Sequence, residues 1–285
     1  MLTLGKRKKK TLEELTISDD FMFGAVMSNP KRCKPLLEMI LNVKIKKIEY
    51  PELQKTIDKQ YGSKGIRLDV YVEDDENTVY NIEIQATMFK YLAKRMRYSQ
   101  GLIDLNIIDK GEDYSSLKKS FVIFICTYDP FGEGRYVYTF ENRCLENPDL
   151  SFGDDTTKII LNTEGTVGDI SEDLRATLRY FAGDGPQTEY TKGLDEEVAD
   201  VRESEKWRRE FMTLLMRDKE NKKLGRYEKM VEAIKNGTIR GLSVTDLSGI
   251  LGVSEDLVNA VLDCSAAHSD LDNEDIADWL IQEYE

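Results

Sequence analysis

GIRLDVYVEDDENTVYNIEIQ, residues 65–85, is the stretch that decides the fold. Apolar and polar residues alternate in both of its halves, and a run rich in acidic residues separates the halves, so the stretch predicts a β-hairpin. A slip by one residue would expose a whole apolar face, so apolar residues must pair with apolar residues, Val70 with Ile82. The same alignment places Asp69 opposite Glu83.

Two opposed carboxylates make this hairpin unusual. Cβ atoms of directly opposed residues are about 4.5 to 5.5 Å apart, and two carboxylates there repel each other unless a cation lies between them. Gln85 follows Glu83 by two residues and shares its face, and Arg67 is expected across from Gln85. A divalent cation bound by Asp69 and Glu83 is one interpretation. The other is an ordinary hairpin whose acidic residues face solvent.

The hairpin and a series of ordered motifs resemble the PD-(D/E)XK nuclease superfamily. Within it the chain is most similar to the recombination-promoting nuclease (Rpn) family, also described as PD-(D/E)XK nuclease family transposases. The motifs that carry the resemblance are LTISDDFMF at 15–23, the Asp69 strand, EIQ at 83–85, KRMRY at 94–98, GEDY at 111–114, FVIFICTYDPF at 121–131 and YTFENRC at 138–144. The resemblance covers roughly residues 12–182. It implies an α/β fold with a restriction-endonuclease-like core, a mixed sheet flanked by helices, followed by a mostly helical C-terminal extension.

The resemblance also implies a metal-dependent DNA endonuclease. Mg²⁺, or Mn²⁺ in its place, would be held by Asp69 and Glu83, with the backbone carbonyl of Ile84 as a further ligand. The metal would lower the pKa of a bound water and stabilise the charge at phosphorus. The sequence departs from the superfamily at Gln85, where lysine is usual. Glutamine can hydrogen-bond a water or a phosphate oxygen, but it carries no charge.

A further carboxylate near the N-terminus is a candidate for the same site. In the superfamily a carboxylate of the first helix often reaches the metal, and Asp20 opens the run FMFGAVM. Asp20 is therefore a predicted catalytic residue, favoured over its neighbour Asp19. Its alternative role is that of a helix N-cap.

A basic stripe is predicted directly after the hairpin. Lys90, Lys94 and Arg97 fall at i, i+4 and i+7 of a helix predicted from about residue 89 to 108. With Arg67 they are candidate contacts to the DNA backbone, and a solvated helix face is the alternative. The residues of this helix that the spacing assigns to the core are Phe89, Leu92, Ala93, Met96 and Ile103.

Composition excludes several other kinds of site. The single histidine, His268, lies near the acidic C-terminus, which leaves no Ser-His-Asp or histidine-based zinc chemistry for the core. The four cysteines are widely separated and form no C-x-x-C pair. With no signal sequence or membrane-spanning run, we expect a cytoplasmic protein without a membrane partner.

Charge is unevenly distributed along the chain. The formal net charge is -13, which argues against generic nucleic-acid binding. However, residues 1–100 contain 19 Lys and Arg against 14 Asp and Glu, whereas residues 251–285 contain ten acidic residues and no basic one. A basic working end and an acidic tail are therefore expected to coexist.

We predict four segments: a basic tail (1–10), the nuclease-like domain (11–186), a charged helical arm (187–240) and a small helix-turn-helix-like segment with an acidic tail (241–285). The arm would either pack on its own core or pair two subunits into a homo-oligomer; its irregular heptads favour the first. The second helix of the last segment has no lysine or arginine, which favours helical packing over the reading of DNA bases.

The sequence therefore predicts a Mg²⁺-dependent DNA endonuclease of the recombination-promoting type. Two alternatives stay open. One is a non-catalytic interaction protein that keeps the nuclease fold. The other is a toxin-like or defence nuclease that is inhibited by its own acidic tail.

Overall fold

The computed structural model describes residues 10–49, 56–57, 66–67, 70–268 and 270–283, without the side chains of 56–57 and 66–67. The chain divides into two compact units, Met1–Arg208 and Arg209–Glu285. The first unit contains the strands β1 (Ile48–Glu49), β2 (Thr56–Ile57), β3 (Ile66–Arg67), β4 (Val70–Asp74), β5 (Val79–Gln85), β6 (Ser120–Cys126), β7 (Val137–Phe140) and β8 (Thr156–Asn162). Its helices are α1 (Asp20–Met27), α2 (Pro30–Leu41), α3 (Leu92–Ile107), α4 (Glu172–Ala182), α5 (Glu189–Glu203) and the start of α6 (Glu205–Ile239).

Six strands form one mixed sheet in the order β1-β4-β5-β6-β8-β7. The β5-β6 and β6-β8 pairs are parallel, and the other neighbouring pairs are antiparallel. The short strands β2 and β3 pair separately with each other. The predicted mixed sheet flanked by helices is therefore confirmed.

The predicted hairpin is formed by β4 and β5. Val70 pairs with Ile82 and Val72 with Tyr80, which is the alignment that matching of apolar residues requires. On its other side β5 pairs with β6, so β5 is an inner strand, and all seven of its residues are buried. The expected solvent face of this strand is absent because both of its faces are covered.

Helix α3 packs on the sheet and covers one face of β5 and β6. Its Leu92 and Met96 share a buried apolar cluster with Phe124 of β6. The helix begins at Leu92, three residues later than the spacing predicted. Phe89 and Ala93 are exposed, so the prediction that they lie in the core is wrong.

The helix α5 belongs to the first unit and packs against α1, α2 and α4. The Tyr190 hydroxyl donates to the Arg32 carbonyl over 2.7 Å, and the Arg32 side chain contacts Glu197 at 3.2 Å. The sequence grouped residues 187–240 into one charged arm. The structure instead has two helices there, because Ser204 between them is extended, with φ of -75° and ψ of 121°.

The second unit contains most of α6 together with α7 (Val244–Leu251), α8 (Glu255–Ala267) and α9 (Asn273–Glu283). The predicted turn is present: Gly252 adopts a positive φ of 66°, and the Ser254 side chain caps α8. The acidic tail contributes an amphipathic helix, α9. Ile276 and Leu280 of α9 are completely buried in the core that the helices of this unit share.

Candidate active site

Glu83 is a buried carboxylate in the interior of the sheet. It lies on β5 beside Phe124 of β6, on the face that α3 covers. Its side chain is 1% exposed. The alternative interpretation, an acidic residue on the solvent face of an ordinary hairpin, is wrong for Glu83. Burying a carboxylate is costly unless hydrogen bonds or an opposite charge compensate for the lost water.

Arg95 of α3 provides that compensation and joins three polar groups. Its Nη2 atom donates to Oε2 of Glu83 over 2.6 Å, and its Nη1 atom donates to Oε1 of Gln85 over 2.7 Å. The second carboxylate oxygen of Glu83 accepts from Nδ2 of Asn81 at 3.0 Å. The Gln85 amide donates in turn to the carbonyl of Thr87 at 2.8 Å. The guanidinium group therefore fixes the two polar residues of the EIQ motif relative to each other.

The electrostatics of Glu83 reflect its burial. Burial raises the pKa of Glu83 above its ordinary value, and the charge of Arg95 is the largest opposing influence. Asp20 raises the pKa of Glu83 further by like-charge repulsion. Nearby, burial also raises the pKa of the Cys126 thiol to about 12, so this cysteine is not a thiolate nucleophile near neutral pH.

Asp20 is positioned by the first turn of α1. The other seven residues of this helix are buried, whereas Asp20 is exposed, and its charge acts on Glu83. The N-cap position belongs to Asp19, whose carboxylate accepts from the Thr16 backbone N–H at 2.8 Å and contacts the Lys10 ammonium at 2.7 Å. The alternative role of Asp20 as the N-cap is therefore wrong.

The side chains of two predicted site residues, Asp69 and Arg67, are not described by the structure. Asp69 lies outside the described residues. Arg67 belongs to β3, where its backbone pairs with Thr56, and its side chain is likewise not described. The metal-ligand role of Asp69 and the DNA contact of Arg67 therefore stay predictions.

The predicted basic stripe is only partly helical. Lys90 precedes the first residue of α3, so it does not lie on the same helix as Lys94 and Arg97. All three side chains are exposed. The ammonium groups of Lys90 and Lys94 each lie 5.4 Å from the centre of the Tyr91 ring.

Sequence reasoning missed Arg95, the cation that reaches Glu83. A signal was present in the helical spacing. Arg95 lies between Leu92 and Met96, both buried, and therefore on the apolar side of α3. A cation in that position needs a buried anionic or polar partner, and Glu83 and Gln85 were the polar residues of the preceding strand.

A family model described as PD-(D/E)XK nuclease family transposase matches residues 18–161, more than half of the chain. The chain belongs to this family. The match includes Asp20, Glu83, Gln85 and Arg95, and membership supports a nuclease-like or transposase-like function with DNA as the substrate. No curated protein and no solved structure matches the chain. Of the helices that the structure describes, none is long and apolar enough to cross a membrane.

PD-(D/E)XK nucleases generally use divalent metal ions. Within the described ranges, no group of three or more His, Cys, Asp or Glu side chains could hold a metal ion. The donor chemistry nevertheless suits a hard cation, because Glu83 and Asp20 offer carboxylate oxygens. Asn81, whose side-chain Nδ2 donates to Glu83, has a buried Oδ1 atom with no hydrogen-bond partner among the described atoms. A metal-bound water would supply the missing donor.

Proposed function

We propose that this chain is a divalent-metal-dependent DNA endonuclease whose active site is built around Glu83. One observation carries the proposal: in a chain of a nuclease family, a buried carboxylate on an inner strand is held by a guanidinium group from α3. Burial of such a pair is weak evidence for stability alone, because apolar residues would fill the same space at less cost.

The metal ligands in this proposal are Glu83, Asp69 and Asp20, with Mg²⁺ or Mn²⁺ as the ion. The bound ion supplies an activated water and stabilises charge at phosphorus. The pairing of Val70 with Ile82 is the alignment from which the sequence predicts Asp69 opposite Glu83, and it therefore supports the inclusion of Asp69. The effect of Asp20 on the pKa of Glu83 supports its inclusion.

Arg95 has two roles in this mechanism. Its positive charge opposes the pKa-raising effect of burial and so favours the ionised form of Glu83, which metal binding requires. It also replaces the charge that Gln85 lacks. Guanidinium donors hold phosphate oxygens well and would stabilise the extra negative charge of the transition state. Gln85 orients the guanidinium group through its hydrogen bond to Nη1.

The rival function is that of a non-catalytic interaction protein with a nuclease fold. One observation favours it: both carboxylate oxygens of Glu83 already have hydrogen-bond partners, Arg95 and Asn81. In that case the Glu83–Arg95 pair would serve only to fix α3 on the sheet.

Cleavage of supercoiled plasmid by the purified full chain separates the two functions. The reaction is followed with Mg²⁺, with Mn²⁺ and with excess chelator, for the wild type, for Asp69→Asn and for Asp109→Asn as a matched control in an exposed loop. We expect metal-dependent nicking by the wild type and the control, and a loss of about 100-fold or more in Asp69→Asn. Absence of cleavage with either metal, or full activity in a folded Asp69→Asn protein, would contradict the proposal.

A further inference from the structure

The loop between β5 and α3, residues 86–91, exposes large apolar side chains immediately beside the candidate site. Met88 is 77% exposed, Phe89 41% and Tyr91 51%. The loop is anchored at both ends, because Gln85 before it and Leu92 after it are buried. Neighbouring exposed apolar side chains of this size are typical of a binding surface.

Contacts connect this loop to the candidate site. The carbonyl of Thr87 accepts the Gln85 amide at 2.8 Å, and the Phe89 backbone N–H donates to the Tyr128 hydroxyl at 3.2 Å. The Arg95 guanidinium lies 5.9 Å from the centre of the Phe89 ring. The same guanidinium that holds Glu83 therefore also contacts the exposed loop.

The charges around the loop indicate which molecule would cover it. The ammonium groups of Lys90 and Lys94 each lie 5.4 Å from the centre of the Tyr91 ring. Aromatic faces interleaved with lysines suit nucleic acid, in which flat bases alternate with phosphates. An apolar peptide could pack its side chains on the loop, but it would offer no negative charge to the ammonium groups of Lys90 and Lys94.

We propose that loop 86–91 binds an unstacked base next to the phosphodiester bond that is cut, with Tyr91 as the stacking ring and Met88 as an apolar wedge. The proposal rests on the proposed function and refines it to a substrate class: DNA with an unpaired base beside the scissile phosphate. Lys90 and Lys94 hold the adjoining phosphates. Apolar side chains of this kind separate base steps in other DNA-binding proteins, and base stacking on an aromatic ring tolerates any base.

Binding of short oligonucleotides tests this inference independently of cleavage. Two 2-aminopurine-labelled substrates are compared in chelator, one single-stranded and one a fully paired duplex, and the base analogue reports stacking by its fluorescence. The proteins are the wild type, Met88→Ala, Tyr91→Ala, the conservative Tyr91→Phe and the control Phe152→Ala. Phe152 is an apolar side chain about as exposed as Met88, at 74% against 77%. None of these substitutions alters Glu83, Gln85 or Arg95.

We expect Tyr91→Ala to bind the single strand about 10-fold more weakly, which corresponds to about 1.4 kcal/mol, and to lose the change in fluorescence, because the ring on which the base stacks is removed. Tyr91→Phe should retain both, Met88→Ala should lose part of the fluorescence change, and Phe152→Ala should match the wild type. Equal affinity and equal fluorescence in Tyr91→Ala and Phe152→Ala would overturn the inference. A change of oligomeric state in Met88→Ala or Tyr91→Ala without any effect on DNA would also overturn it, in favour of a second copy of the chain as the occupant.

Failure of the proposed function would give a different result. If the wild type cuts no DNA with Mg²⁺ or Mn²⁺ while Tyr91→Ala still loses single-strand binding, the endonuclease assignment fails and the base-binding loop stands. If cleavage is normal and all five proteins bind the two substrates alike, only the loop inference fails.

Discussion

The guanidinium group of Arg95 lies 2.6 Å from the carboxylate of Glu83, although one residue belongs to α3 and the other to the inner strand β5. The contact connects the helix that follows the EIQ motif with the acidic residue of that motif. A carboxylate in this environment depends on the cation for its charge, because burial alone favours its neutral form.

Removal of the Arg95 charge should therefore change both the rate of DNA cleavage and its pH dependence. We expect Arg95→Met to cut DNA about 100-fold more slowly than the wild type. Because the pKa of Glu83 would rise further without the guanidinium, the acidic limb of the pH–rate profile should move to higher pH. Single-turnover cleavage across a pH series measures both effects, and Arg95→Lys should recover part of each.

An unshifted acidic limb in Arg95→Met would show that Glu83 does not depend on this charge. Arg97→Met is the matched control, because Arg97 is exposed two residues further along the same helix. The control should show a smaller, salt-dependent loss and no shift in the pH profile.

Two substitutions transfer the positive charge from Arg95 of α3 to position 85 of β5. In Gln85→Lys the new ammonium group would adjoin Arg95, so this single variant should be less active than the wild type by like-charge repulsion. In the double variant Gln85→Lys with Arg95→Gln, the lysine stands where the superfamily usually has it. We expect the double variant to cut DNA faster than Arg95→Gln alone, by about 10-fold.

Cleavage rates of the four proteins form a double-mutant cycle. If the effects of Gln85→Lys and Arg95→Gln simply add, the two positions do not share one role, and the account of Arg95 as the replacement cation fails.

Burial of Glu83 should also appear in the stability of the protein. Since the folded-state pKa of Glu83 is raised above 4.5, its contribution to the free energy of unfolding is present below pH 4.5 and is lost as the pH rises through the raised pKa. Glu83→Gln cannot titrate and lacks this loss. In chelator, the melting temperature of the variant relative to that of the wild type should therefore increase as the pH rises above 4.5. A pH-independent difference would contradict the raised pKa.

Deletion of the acidic tail is not a suitable test of whether the tail inhibits DNA binding. Ile276 and Leu280 of α9 are fully buried, and loss of one such leucine side chain costs about 2 to 5 kcal/mol, so removal of residues 269–285 would unfold the second unit's core. Replacement of the exposed acidic residues of α9, Glu274, Asp278 and Glu283, by their amides leaves the buried side chains of this helix unchanged. If the tail competes with DNA, this variant should bind DNA more tightly at low salt and equally at high salt.

If the amide variant and the wild type bind DNA equally at low salt, the tail does not compete with DNA. Acidic residues on and around α9 already repel one another. Burial is the largest influence that raises the pKa of Glu274, and the charges of Asp272, Glu228 and Asp278 raise it further. A gain in melting temperature of the amide variant is therefore expected in either case, and only the DNA affinity decides whether the tail competes.

The alternation of apolar residues was enough to predict the hairpin. It aligned Val70 with Ile82 because a slip by one residue would have exposed an apolar face, and the structure has the same pairing. The helix-turn-helix-like segment was equally predictable, since its turn depends on residues that are adjacent in sequence.

Contacts between distant elements were not predictable in this way. Helical spacing places Arg95 on the apolar side of α3, but only the packing of α3 on β5 identifies Glu83 as its partner. The break between α5 and α6 has a similar origin. Ser204 leaves the helical conformation, its hydroxyl accepts from the Trp207 backbone N–H at 3.4 Å, and the Trp207 ring packs edge-on against Phe21 of α1.

Plasmid cleavage by Glu83→Gln at saturating Mg²⁺ tests the central claim most directly. The substitution keeps the shape of the side chain and removes the charge that a metal ligand needs, and Glu164→Gln in an exposed turn serves as the matched control. We expect metal-dependent cleavage by the wild type and the control, and a cleavage rate at least about 100-fold lower for a folded Glu83→Gln protein. Cleavage by Glu83→Gln at the rate of the control would contradict that claim.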